Sequence, residues 1–283
     1  MNYCKIKSSS IVPCYGITKF PDNGNYAIVL TYLPEGNLRG YLQKNHLNLT
    51  LKDRITIFYY LCYALDDIHE KDLIHCDLHS GNILVQGGGC YITDLGLCGP
   101  VDEKSSNKVY GIVSYVAPEL LRGKKNTKES DIYSIGMLMW EIFAGHPPFD
   151  DRAHNHHLIF DICEGLRPPI LPGMPDDYVQ MMQRCWDVDP SKRPTSSELY
   201  DFADNLEETI KNNNGNNTTS SGSGASQQVH KSHPDAYHTS RILDEEIAKS
   251  KSLKIYTSND SSLNNLDFNS FLLNVEGEYN FHY

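Results

Sequence analysis

Three polar residues, Asp77, Asn82 and Asp94, are of the types and at the spacing that could carry out chemistry. Asp77 and Asn82 stand five positions apart in the run IHCDLHSGNIL, which ends in a strand-like stretch. A carboxylate can accept the proton of an attacking hydroxyl, and an amide oxygen can bind a metal ion. Asp94 follows a second strand-like run, YIT, which can bring another carboxylate back to the first pair. The pattern predicts one site that combines a base with metal ligands.

Short strands and amphipathic helices surround these residues in the sequence. The run NYAIVLTYL at 25–33 is rich in β-branched and aromatic residues and ends at a Pro-Glu-Gly turn, which predicts a strand. A shorter strand is predicted at 11–15. Apolar residues recur at three- and four-residue steps between 51 and 70 and indicate a helix. The stretch 131–143, DIYSIGMLMWEIF, is apolar nearly all round and predicts a helix buried on every side.

The composition changes toward the end of the sequence. Residues 211–229, KNNNGNNTTSSGSGASQQV, offer almost no apolar surface to bury, so the entropy cost of ordering them is not offset. The remainder to Tyr283 is polar, with one stretch, DEEIAKSKSLK, that is compatible with a helix. We therefore expect a flexible linker followed by a mobile tail.

The overall composition limits the classes of function. A hydrophobic share of 40% and a charged share of 22% fit a globular protein, and a formal charge of −11 argues against general nucleic-acid binding. No apolar run is long enough to span a bilayer, and the start MNYCK lacks the pattern of a secretory signal. The eight cysteines occur singly, without the pairs of a zinc site or a disulfide framework. We expect an intracellular, cytoplasmic protein.

Three histidines, His154, His156 and His157, lie close together and raise the question of a metal site. Their spacing is not that of a known pair of zinc ligands, and no other ligand cluster lies near them in the sequence. A solvated helix face is the expectation for these residues.

The candidate site resembles the catalytic centre of the eukaryotic protein kinases, whose catalytic loop reads H-R-D-x-x-x-x-N and whose metal motif reads D-F-G. The matching residues here are His75-Cys76-Asp77 through Asn82, and Asp94-Leu95-Gly96. Three further matches follow in the order of the family, namely Ala117-Pro118-Glu119, the run SDIYSIG that starts at Ser130, and the stretch from Cys185-Trp186 to Arg193-Pro194. Ordered matches over roughly residues 9 to 205 are far more specific than any single motif.

The later motifs resemble narrower groups of kinases. The Cys-Trp and Arg-Pro ending is similar to the tyrosine kinases and the tyrosine-kinase-like group, and it implies a structural ion pair between Glu119 and Arg193. The run SDIYSIGMLMWEI, the histidine-rich run near His154 and the tail HPDAYHTSRIL resemble the large kinase family expanded in mycorrhizal fungi.

The resemblance implies roles for individual residues. Asp77 would be the catalytic base, with His79 and Asn82 beside it in the catalytic loop. Asn82 and Asp94 would hold Mg²⁺ on the phosphates of ATP. The residues implied to line the adenine pocket are Leu30, Thr31, Leu33 and Leu84.

The sequence also departs from the kinase pattern. The family uses a glycine-rich loop and a strand lysine to hold the phosphates, but Lys5 and Lys7 directly precede the first predicted strand and have no glycine cluster ahead of them. We therefore expect an N-lobe truncation and severely impaired catalysis. Cys76 replaces the usual arginine of the catalytic loop, and the choice between a serine or threonine and a tyrosine acceptor stays open.

We predict an α+β fold, a mainly helical kinase-like C-lobe with a remnant of N-lobe strands and a disordered C-terminal tail. The expected boundaries are 1–33 for the N-lobe remnant, 34–210 for the C-lobe and 211–283 for the linker and tail. The expected function is phosphate transfer from ATP to a protein substrate with Mg²⁺. The alternative is a catalytically dead, pseudokinase-like scaffold that binds partner proteins. Neither a nucleic-acid partner nor a membrane span is expected, and the oligomeric state stays open.

Overall fold

The computed structural model describes residues 8–22, 24–95, 99–100, 109–213 and 231–259. The helices are α1 (Leu38–Asn45), α2 (Leu51–His69), α3 (Pro118–Leu121), α4 (Lys128–Ala144), α5 (His156–Cys163), α6 (Asp176–Cys185), α7 (Ser196–Asn213) and α8 (Asp244–Asn259). The strands are β1 (Cys14–Lys19), β2 (Tyr26–Leu30), β3 (Leu73–Ile74), β4 (Ile83–Gln86), β5 (Gly89–Ile92), β6 (Gly99–Pro100), β7 (Tyr110–Gly111) and β8 (Arg241–Ile242). This confirms the predicted α+β fold. Within these ranges no helix combines the length and the apolar character needed to cross a membrane.

β1 and β2 form an antiparallel hairpin at the N-terminal side of the fold. β2 lies inside the run predicted at 25–33, whereas β1 begins at Cys14 and Ile11 instead forms a bridge with Ile92 of β5. Large apolar side chains of the hairpin are exposed, and they are Tyr15, Ile17, Phe20, Tyr26, Ile28 and Val29. The hairpin therefore presents apolar surface that none of the described residues covers.

α2 and α4 form the centre of the helical lobe, and the sequence specifies where each begins. Thr50 caps α2 and Thr127 caps α4, in both helices through reciprocal hydrogen bonds with the third helical residue. Every residue from 130 to 142 in α4 is buried, as the all-round apolar pattern predicted. α4 ends at Gly145, whose φ of 79° is a left-handed conformation that glycine adopts without strain.

The β4–β5 hairpin joins the helical lobe to the N-terminal strands. The backbone N–H of Val12 donates to the carbonyl of Ile92 at 3.0 Å, and the N–H of Ile92 donates to the carbonyl of Ser10 at 2.9 Å. On the other strand, Asn37 forms an antiparallel bridge with Leu84. The hairpin therefore fixes two separate segments of chain against the lobe that carries the candidate site.

Residues 231–259 lie against the helical lobe, which differs from the flexible tail expected for 211–283. β8 pairs with β7, and α8 packs on α5. Leu243 and Ile247 of this segment are buried. Few apolar residues occur here, but these two lie four positions apart on one face of a helical start, so they can be buried together. Their burial favours an ordered segment that composition alone did not indicate.

Candidate active site

One carboxylate, that of Asp131 in the first turn of α4, holds the backbone of the loop at 75–82, which is called the catalytic loop below after the kinase motif that it resembles. Its Oδ2 accepts the N–H of His75 at 2.7 Å, and its Oδ1 accepts the N–H of Cys76 at 3.0 Å. The same Oδ2 lies 3.0 Å from Nε2 of His69, at the end of α2. Cys76 has a φ of 72°, and these charge-assisted hydrogen bonds stabilise its left-handed conformation. The loop therefore presents the next residue, Asp77, from a fixed position.

The carboxylate of Asp77 is largely buried and contacts three polar side chains. Asn82 Nδ2 donates to the Asp77 carbonyl at 3.0 Å and lies 3.4 Å from Oδ2, and His79 Nε2 lies 3.7 Å from Oδ2. The hydroxyl of Ser240 donates to Oδ1 at 2.9 Å. Burial by itself raises the pKa of Asp77, but His79 and the Ser240 hydroxyl outweigh it and hold this pKa below its ordinary value. Asp77 is therefore ionised at neutral pH, as a proton acceptor must be.

His75 lies fully buried under the loop as a neutral ring. Its Nδ1 accepts the backbone N–H of Asp77 at 3.3 Å, and its Nε2 donates to the carbonyl of Thr93 at 3.0 Å. Burial lowers the pKa of His75, against the attraction of Asp131 and Asp77 and the bond to Thr93. The ring thus links the catalytic loop to the residue just before Asp94.

The β4–β5 ladder brings Asp94 toward Asn82. The N–H of Thr93 donates to the carbonyl of Asn82 at 2.9 Å, which continues the ladder one rung past the last paired residues of the two strands. Asp94 comes next, exposed and with a φ of 57°. Because Nδ2 of Asn82 is bonded to Asp77, its Oδ1 is the side-chain atom that can act as an acceptor for a cation. A carboxylate and an amide oxygen are ligand types that suit Mg²⁺.

The residues predicted to meet adenine lie along the connection between β2 and α1. Leu30 is half-buried at the end of β2, and the N–H of Thr31 donates at 3.0 Å to a carbonyl of the segment before β1. Leu33 is also half-buried. The bridge between Asn37 and Leu84 attaches the end of this connection to β4. All four predicted residues therefore belong to neighbouring parts of the fold.

His79 is fixed beside Asp77 by contacts on both ring nitrogens. Nδ1 accepts the backbone N–H of Gly81 at 3.0 Å, and Nε2 lies 2.9 Å from Oγ of Ser240. A Cβ atom added to Gly81 would lie 2.8 Å from the ring, so the glycine leaves room for this ring position. One ring nitrogen is thereby directed at the hydroxyl that contacts Asp77.

Asp131 and Ser240 take part in the site, although the sequence analysis assigned them no such role. The sequence does carry a signal for Asp131, because it is an acidic residue at the start of an otherwise apolar helix. A buried carboxylate requires hydrogen-bond donors, so its position indicates a structural contact. Ser240 stands 163 positions after Asp77 in a polar segment, and no local sequence pattern indicates its contact.

The ion pair predicted between Glu119 and Arg193 is confirmed. Nη1 of Arg193 donates to Oε1 at 2.7 Å and Nη2 donates to Oε2 at 2.8 Å, so the pair is bidentate. Arg193 also donates to the carbonyl of Glu129 at 2.8 Å. The pair joins α3, which follows the activation segment of the kinase pattern, to the stretch before α7.

The expectation of a solvated helix face is wrong for His154. This residue is buried, with Nδ1 at 3.0 Å from the carbonyl of Tyr237 and Nε2 at 3.3 Å from Oγ of Ser114. α5 begins only after it, with Asn155 as the N-cap, and His157 is exposed as expected. The part of the chain that the structure describes holds no group of three or more His, Cys, Asp and Glu residues able to bind a metal.

Comparison with known proteins identifies the family. A family model for protein tyrosine and serine/threonine kinases matches residues 1–202. The chain is 30% identical over 199 residues to R831 of Acanthamoeba polyphaga mimivirus, named as a serine/threonine-protein kinase/receptor, which covers 69% of this chain and 12% of the viral protein.

Two eukaryotic kinases show the same similarity. Receptor-interacting serine/threonine-protein kinase 1 of Homo sapiens is 29% identical over 236 residues, covering 73% of this chain and 34% of the human protein. Serine/threonine/tyrosine-protein kinase HT1 of Arabidopsis thaliana is 26% identical over 189 residues, covering 66% of this chain and 48% of the plant protein. The chain thus spans less than half the length of each of these relatives. With the family model covering more than half of its residues, the chain belongs to the protein tyrosine and serine/threonine kinase family.

Proposed function

We propose that this chain transfers the γ-phosphate of ATP to a protein hydroxyl. Asp77 is the base that orients and deprotonates this acceptor hydroxyl. The observation that carries the proposal is the hydroxyl of Ser240, which donates to Oδ1 of Asp77 at 2.9 Å. A general base must lie within hydrogen-bond reach of the proton that it takes, and this contact meets that requirement. His79 and Asn82 would hold the carboxylate in position through their contacts on its other side.

Asn82 and Asp94 are the residues proposed to hold Mg²⁺. Their amide and carboxylate oxygens are ligands that suit Mg²⁺. The hydrogen bond from the N–H of Thr93 to the carbonyl of Asn82 brings the two residues near each other. Bound Mg²⁺ would neutralise charge on the phosphates of ATP. Asn82 would couple the two halves of the site, because its amide nitrogen bonds to Asp77 while its oxygen serves the cation.

The adenine of ATP is proposed to lie between the β2–α1 connection and β4. The apolar side chains of Leu30 and Leu84 would contact its ring. The N–H of Thr31 is already bonded within the protein, so its carbonyl is the group proposed to accept the amino group of adenine. The backbone of Leu33 would contact the same edge of the adenine ring.

The same contact supports a proposal for the acceptor class. Because the hydroxyl at Asp77 belongs to a serine, we favour serine or threonine over tyrosine as the acceptor. The membership in the tyrosine-kinase-like group and the kinship with the kinases of mycorrhizal fungi are proposed on the motifs described above. An intracellular location, with access to ATP and Mg²⁺, is part of the same proposal.

A second candidate function is a kinase-fold scaffold that binds partners without transferring phosphate. One observation favours it. The β1–β2 hairpin exposes six large apolar side chains, which a binding partner could cover.

Binding of Mg-ATP separates the two candidates. The proposed kinase should show a saturable rise in melting temperature as Mg-ATP is added, because a ligand that binds only the folded state stabilises it. Asp94→Asn should weaken this response, whereas Asp151→Asn, a change at an exposed aspartate outside the site, should leave it unchanged. A melting temperature that does not respond to Mg-ATP would reject the kinase and favour the scaffold.

A further inference from the structure

The segment 233–247 crosses the acceptor side of the site, and its short strand β8 is added to β7. β8 runs antiparallel to β7, with Ile242 opposite Tyr110 and Arg241 opposite Gly111. The backbone N–H of Leu243 continues this pairing by donating to a carbonyl just before β7 at 2.9 Å. Strand addition of this kind is a general way in which proteins bind extended peptides. Here the added peptide is part of the same chain.

Side chains anchor the segment on either side of this strand. On the C-terminal side, Leu243 and Ile247 are buried against the lobe. On the N-terminal side, Nε2 of His238 lies 3.0 Å from Oδ1 of Asp150. Arg39, in α1, donates to the carbonyl of His238. These anchors lie before and after Ser240, so they fix its position along the groove.

The hydroxyl of Ser240 occupies the place where an acceptor hydroxyl would react. Its Oγ donates to Oδ1 of Asp77 at 2.9 Å and lies 2.9 Å from Nε2 of His79. Thr239, the adjacent hydroxyl residue, is exposed. Of these two neighbouring hydroxyls, only that of Ser240 is bonded to the candidate base.

We propose that residues 233–247 are an intramolecular acceptor segment and that Ser240 is phosphorylated by the same chain. This inference rests on the proposed kinase function. In the reaction, Oγ of Ser240 forms a bond to the γ-phosphorus of Mg-bound ATP. The bond between that phosphorus and the β–γ bridging oxygen breaks, and its electron pair leaves with ADP. The hydroxyl proton passes to the carboxylate of Asp77.

Phosphorylation would release the segment and open the site. A phosphoserine carries a charge of about −1.5 to −2 at neutral pH, and at Ser240 this charge would lie directly beside the Asp77 carboxylate. Repulsion and the added bulk disfavour the docked position, so other protein acceptors gain access to Asp77. Until Ser240 is phosphorylated, the segment therefore covers the site and competes with other protein acceptors for Asp77.

The test is to incubate the purified 283-residue chain with Mg-ATP and locate the phosphate by mass spectrometry. Phosphate is expected on Ser240, with a first-order rate that does not change with protein concentration, as an intramolecular reaction requires. Ser240→Ala should abolish this phosphate, and the matched variant Thr239→Ala should retain it. Asp77→Asn should slow its appearance by about 10²–10⁴-fold, the contribution typical of a general base.

A second measurement follows the docking without ATP turnover. Amide hydrogen exchange of the 236–247 segment should be slow in the wild-type chain and fast in Leu243→Asp, while protection of α2 and α4 stays the same in both. Leu243→Asp should also lose phosphate at Ser240 and gain activity on an added serine-containing peptide.

The outcomes distinguish this inference from the proposed function. Phosphate transfer to the added peptide without modification of Ser240 would overturn the inference and leave the kinase function intact. Transfer to no acceptor at all would overturn both, and the exchange measurement would then show whether the segment docks as a permanent cover. Modification of Ser240 at a rate proportional to protein concentration would also contradict the intramolecular reaction.

Discussion

Oδ2 of Asp131 accepts the backbone N–H of His75 at 2.7 Å, and this bond attaches the catalytic loop to the buried helix α4. The loop carries a left-handed residue directly after His75, so it depends on such an external restraint. Because residues 130–142 of α4 are buried, the core of the lobe sets the position of Asp77, the proposed base.

Asp131→Ala should destabilise the protein and slow phosphate transfer together. The change leaves two backbone N–H groups without their acceptor, and a lost hydrogen bond to a charged group costs about 1.5–3 kcal/mol. We expect a lower denaturant midpoint and a fall in kcat that exceeds the change in KM. Glu129→Ala is the matched control, because Glu129 lies two positions before Asp131 in α4 and its side chain is exposed. Wild-type stability and kcat in Asp131→Ala would contradict the restraint.

Arg193→Met should destabilise the lobe by about 3–5 kcal/mol, because it leaves Glu119 with an unpaired carboxylate in a largely buried place. Urea unfolding measures the loss. Arg184→Met is the control, because Arg184 forms its ion pair with Glu198 at the surface, where such pairs contribute about 0–1 kcal/mol. Equal effects of the two substitutions would show that the buried pair has no special structural role.

The free energy of unfolding should fall as the pH is lowered through the unfolded-state pKa of histidine, about 6.5. Burial lowers the pKa of His75 in the folded protein, so below that pH the unfolded chain binds more protons than the folded chain. The slope from this one residue cannot exceed about 1.4 kcal/mol per pH unit. Chemical unfolding at pH 7.5 and 5.5 measures it.

His75→Gln tests the assignment of this slope, because glutamine has an amide that can donate to the Thr93 carbonyl but does not titrate. The fall in stability between the two pH values should be smaller in this variant. An identical slope in His75→Gln and the wild type would exclude His75 as its source.

Local sequence patterns predicted the two central helices, α2 and α4, and the proximity of Asp77 and Asn82. α4 follows from an all-round apolar run, and Asp77 and Asn82 come from one loop whose spacing determines their relationship. Asp94 could be placed because a hairpin ladder has a fixed register. In each of these features the interacting residues are near in sequence or belong to regular structure.

Contacts between distant segments could not be derived in this way. The position of Ser240 on Asp77 depends on β8 pairing with β7 and on the burial of Leu243, neither of which has a local signature. His154 is buried because the same segment covers it, although its own neighbourhood in the sequence is polar. Composition described this segment as a tail, and long-range pairing brings it into the site.

The most direct test of the central role of Asp77 is the single-turnover rate of phosphate transfer by the wild-type chain and by Asp77→Asn, with Mg-ATP saturating both. Asparagine keeps the size of the side chain but cannot take up the proton. We expect the rate to fall by about 10²–10⁴-fold while the stabilisation by Mg-ATP stays unchanged. An Asp77→Asn chain that transfers phosphate at the wild-type rate would contradict the account.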